Sequence, residues 1–244
     1  IDLVAAGEHN ITVCNVRAYA TTSVVEHVFS MILALTRRHQ DYRIAVGSGK
    51  WQSAMSFCLL DYPVRELAGQ TLGIIGYGEL GRAVAKMGEA FGMNILIAQR
   101  PGSRSKPEAG RTPLGQVLAQ SNIISLHCPL TVSTANLVGR NEFAQMREDA
   151  LLINTARGGI VNESALSQAL LAGRIAGAAV DVLSEEPPRH GNPLLDDSIP
   201  NLIVTPHIAW ASVHARQMLI NELAANIRAF LDGRPRNIVT ASCH

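Results

Sequence analysis

Three side chains of kinds that handle protons and carboxylates each follow a short apolar run. Arg157 stands in Asn154-Thr155-Ala156-Arg157-Gly158-Gly159, Glu186 in Asp181-Val182-Leu183-Ser184-Glu185-Glu186-Pro187, and His207 in Thr205-Pro206-His207. A guanidinium clamps a carboxylate through two charge-assisted hydrogen bonds. An imidazole passes a proton near neutral pH, and an acid beside it can orient it. Together they make a set for reducing a keto acid: a carboxylate clamp, a proton donor and a group that tunes the donor. Each alone has a plainer reading, with Arg157 a surface cation, Glu186 a solvated loop acid and His207 one of eight histidines. What joins them is position, because open parallel sheets bind ligands beyond the carboxyl ends of their strands. His127-Cys128-Pro129-Leu130 ends another such run.

A further motif, Gly76-Tyr77-Gly78-Glu79-Leu80-Gly81, follows the apolar stretch Thr71–Ile75 and opens an amphipathic stretch at 80–91. Strand, glycine turn and helix in that order form the dinucleotide fingerprint. Gly76 allows the tight turn, Gly78 lets backbone approach a pyrophosphate, and Gly81 allows close packing of helix on strand. The helix start then presents unpaired N–H groups and the positive end of its dipole to phosphate. An acidic residue is expected at the end of the next strand to bind the adenosine ribose. Gln99-Arg100 stands there, with Arg104 nearby. A guanidinium pairs with a 2′-phosphate that a carboxylate would repel, so NADP(H) is expected to be accepted and favoured over NAD(H). In a plainer reading, Arg100 stacks on adenine and either cofactor binds.

These residues need a frame. Apolar runs at Leu72–Ile75, Ile95–Ala98, Ile123–Leu126, Leu151–Ile153, Ala178–Val182 and Leu202–Val204 read as strands covered on both faces, with helical segments between them. That alternation predicts an α/β class, a Rossmann-type doubly wound parallel sheet. Two long helices flank it, one from about Ser23 to Ala45 with Ser23 as N-cap, the other from about Ser212 to Leu231, stopped by Gly233 and Pro235. The irregular stretch Gly47–Gln70 holds Trp51, Phe57 and Tyr62, and a connection that long suggests a binding role, here a subunit contact.

Composition narrows the rest. The 244 residues are 47% hydrophobic and 17% charged, a globular balance. Lys and Arg number 21 against 20 Asp and Glu, which gives no electrostatic case for nucleic acid or an anionic membrane. No stretch reaches the roughly 18 apolar residues of a membrane helix. Cys14, Cys58, Cys128 and Cys243 are scattered without zinc spacing, which suits reduced thiols, a cytoplasmic location and no metal site. The chain starts at Ile1 without a signal-peptide pattern and reads as beginning partway through a larger protein.

Taken together, the sequence resembles the D-isomer-specific 2-hydroxyacid dehydrogenases over essentially its whole length. Thr22-Ser23-Val24-Val25-Glu26-His27, the run Glu66–Gly76 and the segments around Arg157, Asp181, Glu186 and His207 carry the resemblance. His207-Ile208-Ala209-Trp210-Ala211-Ser212 is similar to the glycerate dehydrogenase (hydroxypyruvate reductase) branch. The resemblance implies that Arg157 holds the substrate carboxylate, that His207 gives a proton to the keto oxygen, and that Glu186 orients His207 and stabilises its protonated form. It implies that Asp181 meets the nicotinamide carboxamide, and that Cys128, Pro129, Thr155 and Ala156 line the cofactor through backbone groups. It implies a homodimer and a second, smaller substrate domain, of which residues 1–21 and the 212–244 helix and tail would be remnants around a 22–211 cofactor domain. A chain without most of that domain would bind nucleotide but turn over poorly, and would expose an apolar face around the long helices. Two other roles share the fold: a nucleotide-sensing corepressor or scaffold, and a cofactor-binding module without turnover.

Overall fold

The computed structural model describes residues 1–100 and 109–240, so Arg104 and Cys243 lie outside the described residues. In chain order the elements are α1 (Leu3–Glu8), α2 (Thr21–Thr36), α3 (His39–Gly47), β1 (Thr71–Ile75), α4 (Glu79–Ala90), β2 (Asn94–Ile97), α5 (Leu114–Gln120), β3 (Ile123–Leu126), α6 (Arg140–Gln145), β4 (Leu151–Asn154), α7 (Glu163–Leu171), β5 (Gly177–Val180), a 3-10 turn at Pro193–Leu195, β6 (Leu202–Val204) and α8 (Val213–Leu231). They form two units, Val24–Ala209 and a smaller one made of Ile1–Ser23 with Trp210–His244.

The larger unit is built on a six-stranded parallel sheet in the order β2-β1-β3-β4-β5-β6. Each strand overlaps one of the predicted apolar runs, β5 ending at Val180, two residues before the predicted end. The inner strands β3, β4 and β5 are buried along their whole length, which is why they carry apolar residues on both faces. Ile124, Leu126, Leu152 and Val180 from these strands pack with Val117, Phe143, Leu166 and Leu170 from α5, α6 and α7. The chain runs outward from β1 to β2, then returns to the other side of β1 for β3. That reversal leaves a crevice beyond the carboxyl ends of β1 and β3, the usual ligand position in such sheets.

One predicted element differs. The single helix expected from Ser23 to Ala45 is two helices, and its start lies at Thr21. Arg38 breaks it by adopting a left-handed conformation (φ 55°, ψ 37°). Tertiary contacts hold it there: its guanidinium reaches Asn201 Oδ1 at 2.5 Å and Asp41 Oδ2 at 2.8 Å and lies 5.6 Å from the centre of the Tyr62 ring. The Arg65 N–H also takes the Thr36 carbonyl at 2.9 Å, a partner that a continuing helix would have needed. Apart from the Asp41 pair these contacts are remote in sequence, and no glycine or proline marks the break.

The 47–70 stretch is irregular, as expected. Trp51 Nε1 donates to the Phe57 carbonyl at 3.0 Å, and Lys50 pairs with Asp61 at 3.1 Å. Tyr62 is half-buried edge-on against Tyr42, whereas Phe57 is 91% exposed.

In the smaller unit, Cys14 and Ile238 form an antiparallel bridge. The buried Asn226 of α8 donates to the Asn15 carbonyl and accepts from Asn237, both at 3.0 Å. Helix α8 starts where expected, and Ser212 caps it, its Oγ accepting from the Ala215 N–H at 3.1 Å. Ile220, Ile227 and Phe230 of this helix are exposed. Among the described residues no helix is long and apolar enough to cross a membrane.

His127, just beyond β3, bonds through Nε2 to Ser125 Oγ at 2.9 Å, while its Nδ1 is buried with no partner among the described residues. Burial lowers its pKa to about 4. The folded protein therefore refuses a proton that the unfolded chain accepts below about pH 6.5. The resulting stabilisation is complete above pH 6.5 and disappears as the pH falls to 4, a change of roughly 3 kcal/mol. Between pH 7 and pH 4, denaturant unfolding of His127→Gln should lose less stability than the parent by about that amount. Equal losses would count against a neutral, buried imidazole.

Candidate active site

The site starts at the turn after β1. Gly76 has φ +95°, and a Cβ there would lie 2.4 Å from the Cys128 N, so the two strand ends meet without a side chain between them. A Cβ on Gly81 would stand 2.1 Å from the Gly76 carbonyl oxygen, so α4 begins directly against the turn. Gly78 differs, since a Cβ there would meet nothing within 4 Å. It is the N-cap of α4 and makes no side-chain cap bond. Backbone crowded on one side, with open space at Gly78 on the other, fits a pyrophosphate at the helix start. Leu80 is half-buried and Glu79 exposed in the first turn of α4.

Along the crevice, Cys128 is buried, and burial raises the pKa of its thiol, so it remains protonated at neutral pH. Pro129 is exposed, and its carbonyl accepts from Thr134 Oγ1 at 2.6 Å. Thr155 and Ala156 are buried at the end of β4, with Thr155 Oγ1 lacking a partner among the described residues and the Ala156 N–H on Asn154 Oδ1 at 3.1 Å. Gln99 is half-buried and Arg100 exposed at the end of β2. Among the described residues no cluster of three or more His, Cys, Asp or Glu could hold a metal ion.

Arg157, Glu186 and His207 follow β4, β5 and β6, neighbours in a parallel sheet, so all three stand beyond the same edge. His207 Nδ1 meets Glu186 Oε2 at 2.8 Å. The other Glu186 oxygen accepts from the Leu183 N–H at 2.9 Å, which fixes the carboxylate plane. Arg157 is exposed and donates to the Ala156 carbonyl at 2.6 Å. Its loop lies against that of Glu186, because a Cβ on Gly158 would come within 1.8 Å of the Leu183 carbonyl oxygen.

Several residues have positioning roles that the sequence did not reveal. Asp181 is buried, and its carboxylate accepts from Thr205 Oγ1 (2.5 Å), the Ile208 N–H (2.9 Å) and the Ala209 N–H (2.8 Å). Its backbone carbonyl takes the His207 N–H at 2.8 Å. The whole turn around His207, itself at φ +54°, is thus gathered on one residue. His27 adds a bond to Thr205 Oγ1 at 3.1 Å and lies 3.6 Å from the Asp181 carboxylate. Asn154 shapes the Arg157 turn by donating to the Arg157 carbonyl at 3.1 Å. Glu163, the first residue of α7, accepts from the Ser184 N–H and O–H (both 2.6 Å) and from Asn192 Nδ2 (2.7 Å). Helix α7 thereby holds the loop that carries Glu186.

Residues 29–209 match the family model for the NAD binding domain of D-isomer specific 2-hydroxyacid dehydrogenases. The chain belongs to this family. It is 47% identical to the glycerate dehydrogenase of Methylorubrum extorquens over 241 residues, 99% of this chain and 75% of that protein. It superposes with a TM-score of 0.84 on an acyclic imino acid reductase in complex with NADPH and D-Arg, at 30% identity, covering 98% of this chain and 74% of that one. The D-lactate dehydrogenase of Aquifex aeolicus, complexed with NAD and lactic acid, gives a TM-score of 0.82 at 32% identity, covering 96% and 73%. The 2-hydroxyacid dehydrogenase fold thus accounts for the glycine turn and for the strand-end placement of Arg157, Glu186 and His207.

The Glu163 contacts are open to a direct test. Glu163→Ala should release Ser184 and Asn192, destabilise the protein by about 2 kcal/mol and raise amide exchange across 183–192. Unchanged exchange in that loop would mean that α7 does not hold it.

Proposed function

We propose that the chain reduces a small 2-keto acid, hydroxypyruvate or glyoxylate, to D-glycerate or glycolate, and catalyses the reverse oxidation. The observation that carries this reading is the 2.8 Å His207–Glu186 pair, on the strand edge that also carries Arg157 and the glycine turn. The name of the M. extorquens relative supports the substrate class.

Bound NAD(P)H supplies a hydride to the carbonyl carbon. Gly76, Gly78, Glu79, Leu80 and Gly81 would hold its pyrophosphate, Gln99 and Arg100 its adenosine ribose, and Cys128, Pro129, Thr155 and Ala156 its path along the crevice. Asp181 serves twice in this reading. It fixes the 205–209 turn, and its Oδ2, which accepts one described bond, has capacity for a carboxamide N–H. Arg157 pairs with the substrate carboxylate and draws electron density from the keto oxygen. Glu186 accepts from Nδ1 of His207, so Nε2 is the nitrogen that gives its proton to the carbonyl oxygen and recovers it in the reverse direction. The Gln99-Arg100 pair favours NADP(H) over NAD(H).

Met55, Phe57 and Leu60 are nearly fully exposed, and they support a homodimer made through the 47–64 stretch, to be checked by light scattering. The free thiols Cys14, Cys58 and Cys128 suit a cytoplasmic setting. Residues 1–21 and 212–244 are read as parts of a substrate domain.

Oxidation of NADPH or NADH, followed by absorbance with hydroxypyruvate and glyoxylate, tests the reading, and no turnover with either acid would overturn it. His207→Gln should lower kcat by about 10²–10⁴-fold and leave the cofactor Kd within about twofold. Parallel loss of both would make His207 structural.

A further inference from the structure

Two cations converge on the glycine turn, and the reading above uses neither. The guanidinium of Arg111 lies 5.6 Å from the centre of the Tyr77 ring, and that of Arg82 lies 6.0 Å from it. Arg82, in the first turn of α4, also donates to the Tyr77 carbonyl at 3.4 Å. Arg111 arrives from a different part of the chain. Its neighbour Thr112 forms a parallel bridge with Ala98, accepting from the Gln99 N–H and donating to the Ile97 carbonyl, both at 2.8 Å. This bridge carries the backbone of Arg111 along the outer side of β2. The half-buried Arg111 side chain then reaches inward and donates to the Ala98 carbonyl at 3.1 Å. The guanidinium is therefore held between the carboxyl ends of β2 and β1, by a carbonyl on one strand and an aromatic ring on the next.

The ring contributes modestly to either cation, so the Ala98 carbonyl and the strand bridge do most to fix Arg111 in place. The pyrophosphate belongs to the start of α4, whereas Arg111, through Ala98, belongs to the end of β2, where a dinucleotide places its adenosine ribose. Gln99 there puts no carboxylate in the way.

We propose that Arg111, braced by the Ala98 carbonyl and Tyr77 and assisted by Arg82, is the residue that reads a phosphate monoester on that ribose. Cofactor choice then depends on position 111 as well as on the Gln99-Arg100 pair. The assignment rests on the dinucleotide reading above and is tested apart from turnover.

Titration calorimetry would compare 2′,5′-ADP with 5′-AMP, and NADH, on the parent protein and on Arg111→Ala, Arg111→Gln, Arg82→Ala and Arg100→Ala. Losing a charge-assisted pair should weaken 2′,5′-ADP at least tenfold in both Arg111 variants, with a smaller loss in Arg82→Ala. Binding of 5′-AMP should stay within twofold. The glutamine variant keeps the aliphatic stem to Cδ and an amide donor while removing the charge, so it remains informative if the alanine variant unfolds. Unchanged 2′,5′-ADP affinity in the Arg111 variants, or a parallel loss of both nucleotides, would overturn the assignment. So would a parent protein that binds NADH and 5′-AMP but gains nothing from the 2′-phosphate. A parent that binds none of the three would instead remove the dinucleotide reading itself.

Discussion

The carboxylate of Asp181 is the interaction on which the candidate site depends. It sits one residue past β5, buried, where an unpaired charge would be costly. It is satisfied by a hydroxyl and two backbone N–H groups 24 to 28 residues further along the chain. Those bonds hold Thr205, Ile208 and Ala209 around His207 in its left-handed conformation. A non-glycine residue at positive φ persists only where its surroundings over-determine it. Without this anchor the turn could relax, and the 2.8 Å contact with Glu186 would lose one of its two fixed ends. The other end is fixed independently, through the Leu183 N–H and through Glu163 on α7.

Above that anchor the sheet does the gathering. Four parallel neighbours, β3 to β6, end on one edge, so residues scattered from His127 to His207 meet without a long excursion of chain. Close packing of loop on loop supplies the rest. Gly158 lies against the Leu183 carbonyl, and Gly76 against the Cys128 N–H, with no room for a Cβ at either place. Both contacts draw neighbouring strand ends into one continuous wall.

How much of this could be read beforehand follows from where each constraint acts. The strands were legible because β3, β4 and β5 are covered on both faces and so must be apolar throughout. The glycine turn was legible because a positive φ at Gly76 and a close approach at Gly81 both exclude side chains. Arg157, Glu186 and His207 were singled out through their place at strand ends, together with a family resemblance, and the structure keeps all three beyond one sheet edge. The break at Arg38 was not legible, because its causes are Asn201, Tyr62 and Arg65, remote in sequence. Asp181 was read as a cofactor contact, and its hold on the turn was invisible because its partners are mostly backbone amides, which every residue offers. Glu163 reads locally as an ordinary acidic helix start. Its three bonds to Ser184 and Asn192 appear only once α7 is folded against the loop.

The strand order carries one more consequence. Adjacent strands lie about 4.8 Å apart, so β2 and β6, at opposite margins of the sheet, are separated by roughly 24 Å. In the proposed reading, the residues that would discriminate between nucleotides stand at one margin, and the imidazole that would handle the proton at the other. Changes that far apart, with no shared partners, combine almost additively. On that reading, an evolving lineage, or an engineer, could exchange the reductant without disturbing the opposite flank.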